Sequence, residues 1–391
     1  MQIVRKGFLL LLALLTAAAL LLSIRDRRQA VSEYENRALA RHPEFSLDAV
    51  WDGSYFDGWD EYFSDHVTHR DDLMREYLRL QLYGKRSVLV NEVVITQQAL
   101  LPELENGYYV YYDYRTPSEE RADGILAVQE AAERQGACFL FVGVEEQRTA
   151  LKKLYPSYVA TQNLDHLDNI TASFRAALEE RGVHTLFTQD LFDEADKLRL
   201  YSRVDHHYNL YGAFETYRAI CAAAQERGLS FPVLTQEEAD IHPLDAEYNG
   251  SYNRKFYDLS PVTEKFLTFD TSVLPPYERW DYGEKTDAPV LKLSASGGKQ
   301  SYADYMGGDT GETVIQTHRP ELPDVLIVGD SFTNPIEGFC VYSFDEIRSL
   351  DFRYYTEKTL TEYLQDYPAD LVVVIRDNTT FHTDVFNADL K

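Results

Sequence analysis

Two short segments of this chain hold residue types that could carry covalent chemistry. In Asp205-His206-His207-Tyr208 a carboxylate stands two residues ahead of an imidazole. From an irregular loop, that carboxylate can accept from Nδ1, fix the tautomer and leave Nε2 as a general base. In Val328-Gly329-Asp330-Ser331-Phe332 a hydroxyl follows the apolar run Asp324 to Val328, after a glycine that permits a sharp turn. A serine so placed is an exposed nucleophile, set where backbone N–H groups can face a developing oxyanion. Taken singly, each segment also has a plain reading: a serine capping the next helix, and a solvated or capping loop. Taken together they supply a nucleophile, a base and an orienting acid, and the expected triad is Ser331, His207 and Asp205. A metal site is the weaker reading. The two histidines are adjacent rather than one helical turn apart, no further His/Cys cluster joins them, and no metal is expected.

Such a triad needs a scaffold that brings distant loops together. The run Ala137 to Val142 is continuously apolar, as in a strand buried on both faces, and Val183 to Phe187, Asp324 to Val328 and Leu371 to Ile375 read the same way. Helical patterns alternate with them. One follows the capping sequence Thr116-Pro117-Ser118-Glu119, and others cover about Leu164 to Glu180, Leu210 to Arg227 and Thr356 to Leu364. Residues 65–84 are also predicted helical, with Leu73, Tyr77, Leu80 and Tyr83 on one stripe. Strand–helix alternation predicts an α/β fold, a mostly parallel sheet flanked by helices, with the site beyond the carboxyl ends of its strands. The expected organisation is a tail, apolar segment and basic flank over 1–30, a stalk or helical wrap over 31–115 that is irregular over 31–64, and a catalytic domain over 116–391 with a loop-rich insertion at about 229–320.

Composition narrows the functional classes. The 391 residues carry a net charge of −26, which excludes a generic nucleic-acid binder, since phosphate binding needs a basic face. Three cysteines, Cys138, Cys221 and Cys340, are too few for a disulfide framework. The acidity is uneven. Residues 1–30 hold Arg5, Lys6, Arg25, Arg27 and Arg28 against Asp26, a net +4, which leaves −30 on the remainder. Between these basic flanks Phe8 to Ile24 is polar only at Thr16 and Ser23, a run reaching roughly 25 Å as a helix. It reads as a signal-anchor with a short inside tail and a large outside domain; a cleaved signal peptide is the alternative. Tyr108, Tyr109, Tyr111, Tyr112 and Tyr114 read as an edge strand with amphipathic tips, or as a sugar-stacking face.

With these residues the chain resembles the DHHW family, which belongs with the AlgX/AlgJ-like, SGNH-type polysaccharide O-acetyltransferases. The resemblance is carried by Glu35-Asn36-Arg37 with Leu39, Asp52-Gly53 with Tyr55, and Asp65-His66 with Arg70-Asp71. It continues in Asp205-His206-His207-Tyr208 with Gly212-Ala213, Gly250-Ser251 with Arg254-Lys255, Gly329-Asp330-Ser331-Phe332, and Leu350-Asp351 with Arg353-Tyr354. An Asp-x-His pair ahead of the serine motif is the specific feature, reversed from the common SGNH order. The resemblance implies an SGNH-like fold of permuted motif order, with Ser331 as nucleophile, His207 as base, Asp205 as orienting acid and His206 as a non-catalytic middle residue. Asn378 falls where the SGNH pattern places an oxyanion asparagine, and Gly143, after the first strand, is a backbone-donor candidate. Three departures stand out: Tyr208 where the family usually has Trp, no glycine-rich pattern over residues 91–101, and Arg376-Asp377-Asn378 where the family tends toward Glu-Arg.

The implied function is O-acetyl transfer to a cell-surface or exported polysaccharide by an extracytoplasmic domain tethered to the cell membrane. No cofactor is implied. Outside the membrane the acetyl group would come from a multi-pass membrane acyltransferase. An esterase or deacetylase would use the same triad, and a noncatalytic glycan-binding or scaffold protein is the reading from another class. The −30 charge would repel an anionic polymer, though only within about 8 Å in physiological salt, so a neutral or aminosugar glycan is favoured.

Overall fold

The apolar runs become the centre of one sheet. In the computed structural model, residues 6–14, 17–18, 30–32, 34–35, 37–104, 118–159, 162–293 and 298–381 are described. Eight strands pair in that sheet: β1 (Cys138–Val144), β2 (Thr185–Phe187), β3 (Glu278–Asp281), β4 (Glu284–Thr286), β5 (Glu312–Gln316), β6 (Val325–Val328), β7 (Glu346–Leu350) and β8 (Leu371–Asp377). Their spatial order is β4-β3-β5-β7-β6-β8-β1-β2. The five from β7 to β2 run parallel, and β3, β4 and β5 add antiparallel to the β7 edge.

The helices cover both faces. On one, α1 (Ser118–Glu133), α2 (Gln162–Glu180) and α5 (Leu360–Asp366) bury Ile125, Val128, Phe174, Leu178, Leu360 and Tyr363 against Phe139, Phe141, Leu326, Val328, Val372 and Val374. Because strand side chains alternate, the neighbouring Leu140, Val142, Ile327 and Val373 point to the other face. That side carries α3 (Leu210–Glu226) and α4 (Asn334–Ser343), joined by an edge-on contact of Phe214 and Phe339 at 5.2 Å. Four strands and α1 to α3 match the sequence reading. The helix expected from Thr356 starts later, at Leu360, because Thr359 and Glu362 form the capping box there.

Other expectations need correction. Strand β7 and helix α4 were not foreseen. Their polar positions, such as Ser349 and Glu337, are satisfied by a side-chain hydrogen bond of 2.6 Å between them. The loop-rich insertion supplies three sheet strands: β5 alternates buried and half-buried residues, the period of a one-face strand. Cys138, Cys221 and Cys340 are all free thiols.

The chain divides into two units, Met1–Asn91 with Asn253–Pro261, and Glu92–Tyr252 with Val262–Lys391. In the first, Leu47–Asp52 and Ser54–Asp65 are helical where residues 31–64 were expected to be irregular, and Arg70–Arg79 falls within the helix predicted over 65–84. Ser46 caps the first of these through Ala49 N–H at 3.0 Å, and Gly53, at φ 92°, breaks it from the second. The predicted stripe Leu73, Tyr77, Leu80 and Tyr83 is exposed, and Leu78 is the buried residue of that helix. The residues quoted above for the first unit pair among themselves: Arg37 Nη1 donates to Asp65 at 2.7 Å, and Arg70 bonds Glu35.

Among the described residues no helix is long and apolar enough to cross a membrane. Residues 6–14 are helical, and most of the rest of Phe8 to Ile24 lies outside the described residues, as do the tyrosines from 108 to 114 and the capping pair Thr116-Pro117.

Candidate active site

The chain turns at Gly329, directly past the carboxyl end of β6. A Cβ there would stand 2.4 Å from the Thr333 methyl and 3.1 Å from the Ile375 carbonyl, so only glycine lets the turn pass this close to β8. Asp330 then caps the one-turn helix Ser331–Thr333, its Oδ1 accepting from Phe332 N–H at 3.0 Å. Ser331 is the first residue of that turn, where an N–H has no acceptor within the helix, and its side chain is half-buried. Burial first, and the neighbouring Asp377 second, push the Asp330 carboxyl above its ordinary range.

The histidine loop is fixed from the opposite side. Asn209 caps α3 by accepting from Tyr211 N–H at 2.9 Å and Gly212 N–H at 3.3 Å, and Asp205 to Tyr208 lie immediately before it. His207 Nδ1 is 2.6 Å from Asp205 Oδ1, and His207 Nε2 is 2.7 Å from Ser331 Oγ, across 124 residues of sequence. Asp205 also accepts from Ser251 N–H at 2.6 Å and from His207 N–H at 3.1 Å. Burial raises its pKa, but the His206 and His207 rings and these hydrogen bonds outweigh burial and hold the carboxyl well below its usual range. An ionised Asp205 keeps the His207 proton on Nδ1, so Nε2 accepts from the Ser331 hydroxyl. His206 lies against His207 with ring centres 3.7 Å apart, its Nδ1 3.0 Å from Ser251 Oγ. Burial, then His207, lowers its pKa to about 4.

Asp205, His206 and His207 bring a carboxylate and ring nitrogens within 4.8 Å of one another, a spacing that could hold a cation. Those same atoms are engaged with each other, Ser251 and Ser331, an arrangement suited to moving a proton along a line.

Several supports escaped the sequence reading. The Tyr302 ring lies flat on His207, centres 3.7 Å apart and planes 5° apart, and Phe332 meets His207 edge-on at 4.7 Å. Tyr208, the departure from Trp, donates its hydroxyl to the Phe332 carbonyl and so ties the histidine loop to the serine turn. Gly250 packs where a Cβ would meet the Val204 carbonyl at 2.5 Å. The signal available in the sequence was the Gly250-Ser251 pair.

The two oxyanion candidates are tied into the scaffold. Asn378 accepts from Glu146 N–H at 3.0 Å and donates to Thr149 Oγ1 at 3.0 Å, clipping the end of β8 to residues 145–149. That segment reaches the histidine loop through Gln147 N–H and the His206 carbonyl, 3.1 Å apart. Gly143 is paired in the ladder with Arg376 and Phe187, and a Cβ on it would run 2.3 Å from the Phe187 ring.

The family described as DHHW protein matches residues 35–114. No curated protein sequence matches the chain. Among solved structures the chain is similar to PatB1 of Bacillus cereus, at 20% identity and a TM-score of 0.60, covering 75% of this chain and 98% of that one. PatB1 with a sulfonyl adduct is similar at 18% identity and a TM-score of 0.60, covering 75% and 96%. A DHHW family protein from Eubacterium siraeum is similar at 16% identity and a TM-score of 0.52, covering 78% and 99%. The resemblance to the DHHW family is thus matched over residues 35–114 by the family itself and, across nearly the whole of a DHHW family protein, by the fold.

Proposed function

We propose that this chain is a serine acyltransferase: a membrane-anchored, extracytoplasmic O-acetyltransferase acting on a cell-surface or exported polysaccharide. The observation that carries the reading is the hydrogen-bonded line from Ser331 Oγ through His207 to Asp205, with links of 2.7 and 2.6 Å. Those are the distances at which a base takes a proton from a nucleophile. Ser331 Oγ attacks the acetyl carbonyl of a donor while its proton moves to His207 Nε2. The tetrahedral oxyanion is stabilised by the Ser331 N–H, since the Phe332 and Thr333 N–H groups are held by Asp330. Collapse breaks the donor's acyl bond, the leaving group takes the proton from His207, and acetyl-Ser331 remains. An acceptor sugar hydroxyl then gives its proton to His207 and attacks acetyl-Ser331, and on collapse the Ser331 oxygen leaves and takes that proton back from His207. Water in that second step makes the enzyme an esterase.

The apolar run Phe8 to Ile24 with basic flanks supports a membrane tether, and the tether supports transfer. It holds the site near the membrane, where a multi-pass acyltransferase would deliver the acetyl group, and raises the local concentration of that donor. PatB1 has been captured with a sulfonyl adduct, which motivates a sulfonyl fluoride as an active-site probe here.

The test is intact-mass spectrometry of the full chain in detergent with an activated acetyl ester, then with candidate oligosaccharides. The expected result is an acetyl adduct on Ser331 that passes to sugar, and turnover lowered by several orders of magnitude in Ser331→Ala. Free acetate without acetylated sugar assigns the esterase. Absence of any adduct, with glycan binding unchanged in Ser331→Ala, assigns a noncatalytic binder.

A further inference from the structure

We propose that Tyr302 is the positioning residue of this site: its ring face holds the His207 imidazole in line with Ser331 and stabilises the imidazolium that forms on proton transfer. The inference rests on the proposed triad and goes one step beyond it. Stacking at 3.7 Å with planes 5° apart leaves the imidazole no room to tilt toward Tyr302. Phe332 closes a second side at 4.7 Å. A cation within about 6 Å of an aromatic centroid is attracted to the ring face, more strongly where water is excluded.

The hydroxyl of Tyr302 does not explain its presence. It is buried and has no hydrogen-bond partner among the described residues, a cost to folding rather than a gain. Burial drives the phenol well above its ordinary pKa, so the ring on His207 stays neutral at working pH. What remains for Tyr302 to contribute is its face.

The backbone around it is built to hold that face still. Tyr302 opens a single turn capped by Ser301 and Asp304, with Ser301 N–H on Asp304 Oδ2 at 2.6 Å. Gln300, fully buried, donates Nε2 to the same Oδ2 at 3.0 Å. The Gln300 carbonyl accepts from Asn249 N–H at 2.7 Å. Two residues on, Ser251 N–H holds Asp205. Residues 247–252 and 300–304 therefore form one bracket that grips the acid through Ser251 and the base through Tyr302. Both arms come from the segment that the sequence offered as a loop-rich insertion.

The experiment measures the rate of acetyl-Ser331 formation from an activated acetyl ester across pH 5 to 9, for the full chain and for Tyr302→Leu and Tyr302→Phe. Rates are taken per site reactive toward a sulfonyl fluoride. The groups facing His207 are Asp205 and His206 on its own loop, Ser331 on the serine turn, and Tyr302, with Glu146 and Asp377 beyond His206 and Asp330 beyond Tyr302. All are retained in both variants except Tyr302. Tyr302→Leu is expected to lower kcat about tenfold with KM within twofold, and to lower the pH midpoint of the rate by about one unit, because the imidazolium loses its aromatic face. Tyr302→Phe keeps the face and is expected to restore both to near the starting values.

An unchanged rate and midpoint in Tyr302→Leu overturns the proposal, and so does a Tyr302→Phe variant as impaired as Tyr302→Leu. If Tyr302→Leu does not fold, Tyr302→Met, which keeps volume without a π face, takes its place. The His207 ring is also titrated by NMR in each protein. If the unsubstituted chain forms no acetyl-Ser331, the acyltransferase reading fails. A lowered His207 midpoint in Tyr302→Leu would still uphold the stack, and an unchanged one would sink it.

Discussion

Replacing Gly250 with alanine perturbs the acid of the proposed triad without removing any polar atom. The new methyl would stand 2.5 Å from the Val204 carbonyl oxygen, 2.9 Å from the Val204 carbonyl carbon and 2.9 Å from Asp205 Cβ. Two of those three neighbours are backbone atoms, which cannot rotate away as a side-chain tip would. Relief to an ordinary contact requires residues 204–205 and 250 to separate by roughly 0.5–1 Å. The Asp205 carboxylate is held between Ser251 N–H at 2.6 Å and His207 Nδ1 at 2.6 Å, so a shift of that size stretches one or both links. Misplacement of a catalytic group by about 1 Å costs on the order of 10²-fold in rate. Overpacking costs about 1–3 kcal/mol of stability. Gly250→Ala is therefore expected to stay folded at 25 °C and to form acetyl-Ser331 about 10²-fold more slowly, with KM little changed. Stopped-flow acylation with an activated acetyl ester, alongside a urea melt of the same preparation, measures both quantities. A folded Gly250→Ala protein acylating within threefold of the parent would refute the reasoning, since the close approach would then have no bearing on the triad.

Tyr208→Phe leaves the Phe332 carbonyl without its phenol donor in a buried site, and a loss of about 1–3 kcal/mol is expected; an unchanged urea midpoint would show that the tether between the two loops carries no stability. His206 has a folded pKa of about 4 against about 6.5 unfolded, so the unfolded chain alone takes up that proton between those values. Stability is expected to fall as pH drops from about 6.5 to about 4, with Asp205 adding its own loss only below about pH 4. The His206 side chain is 38% exposed, so solvent screens part of the effect. Urea midpoints from pH 4 to 7 should decline less in His206→Gln than in the parent, and parallel curves would exclude His206 as the cause.

The parts of this fold legible in the sequence are those where burial alone dictates the residue type. Strands β1, β6 and β8 lie in the parallel half of the sheet, are buried on both faces, and read as uninterrupted apolar runs. Helix α3 shows its Phe214, Tyr217 and Ile220 stripe in the same way. Strand β7, Glu346-Ile347-Arg348-Ser349-Leu350, was missed because its polar side chains have tertiary partners. Ser349 meets Glu337, and Arg348 meets Tyr363. The stripe on residues 70–79 misled because helical periodicity gives a face without saying whether anything covers it.

Sequence by itself determined the chemistry on offer: a serine after a glycine at the end of an apolar strand, and an aspartate two residues before a histidine. Those are local facts, since Asp330 caps its own turn and Asp205 reaches His207 two residues away. Tertiary structure alone decided what surrounds that chemistry. It closed 124 residues to 2.7 Å between Ser331 and His207, laid Tyr302 on the imidazole, and gave Asp205 its Ser251 donor. It also placed Asn378 and Gly143 among the residues that hold loops and strands in register. The physical reason is that a cap or an Asp-x-His pair is fixed by the few dihedrals between its members. A stacked ring or a donor from a distant loop exists only once the sheet has set the positions of both partners.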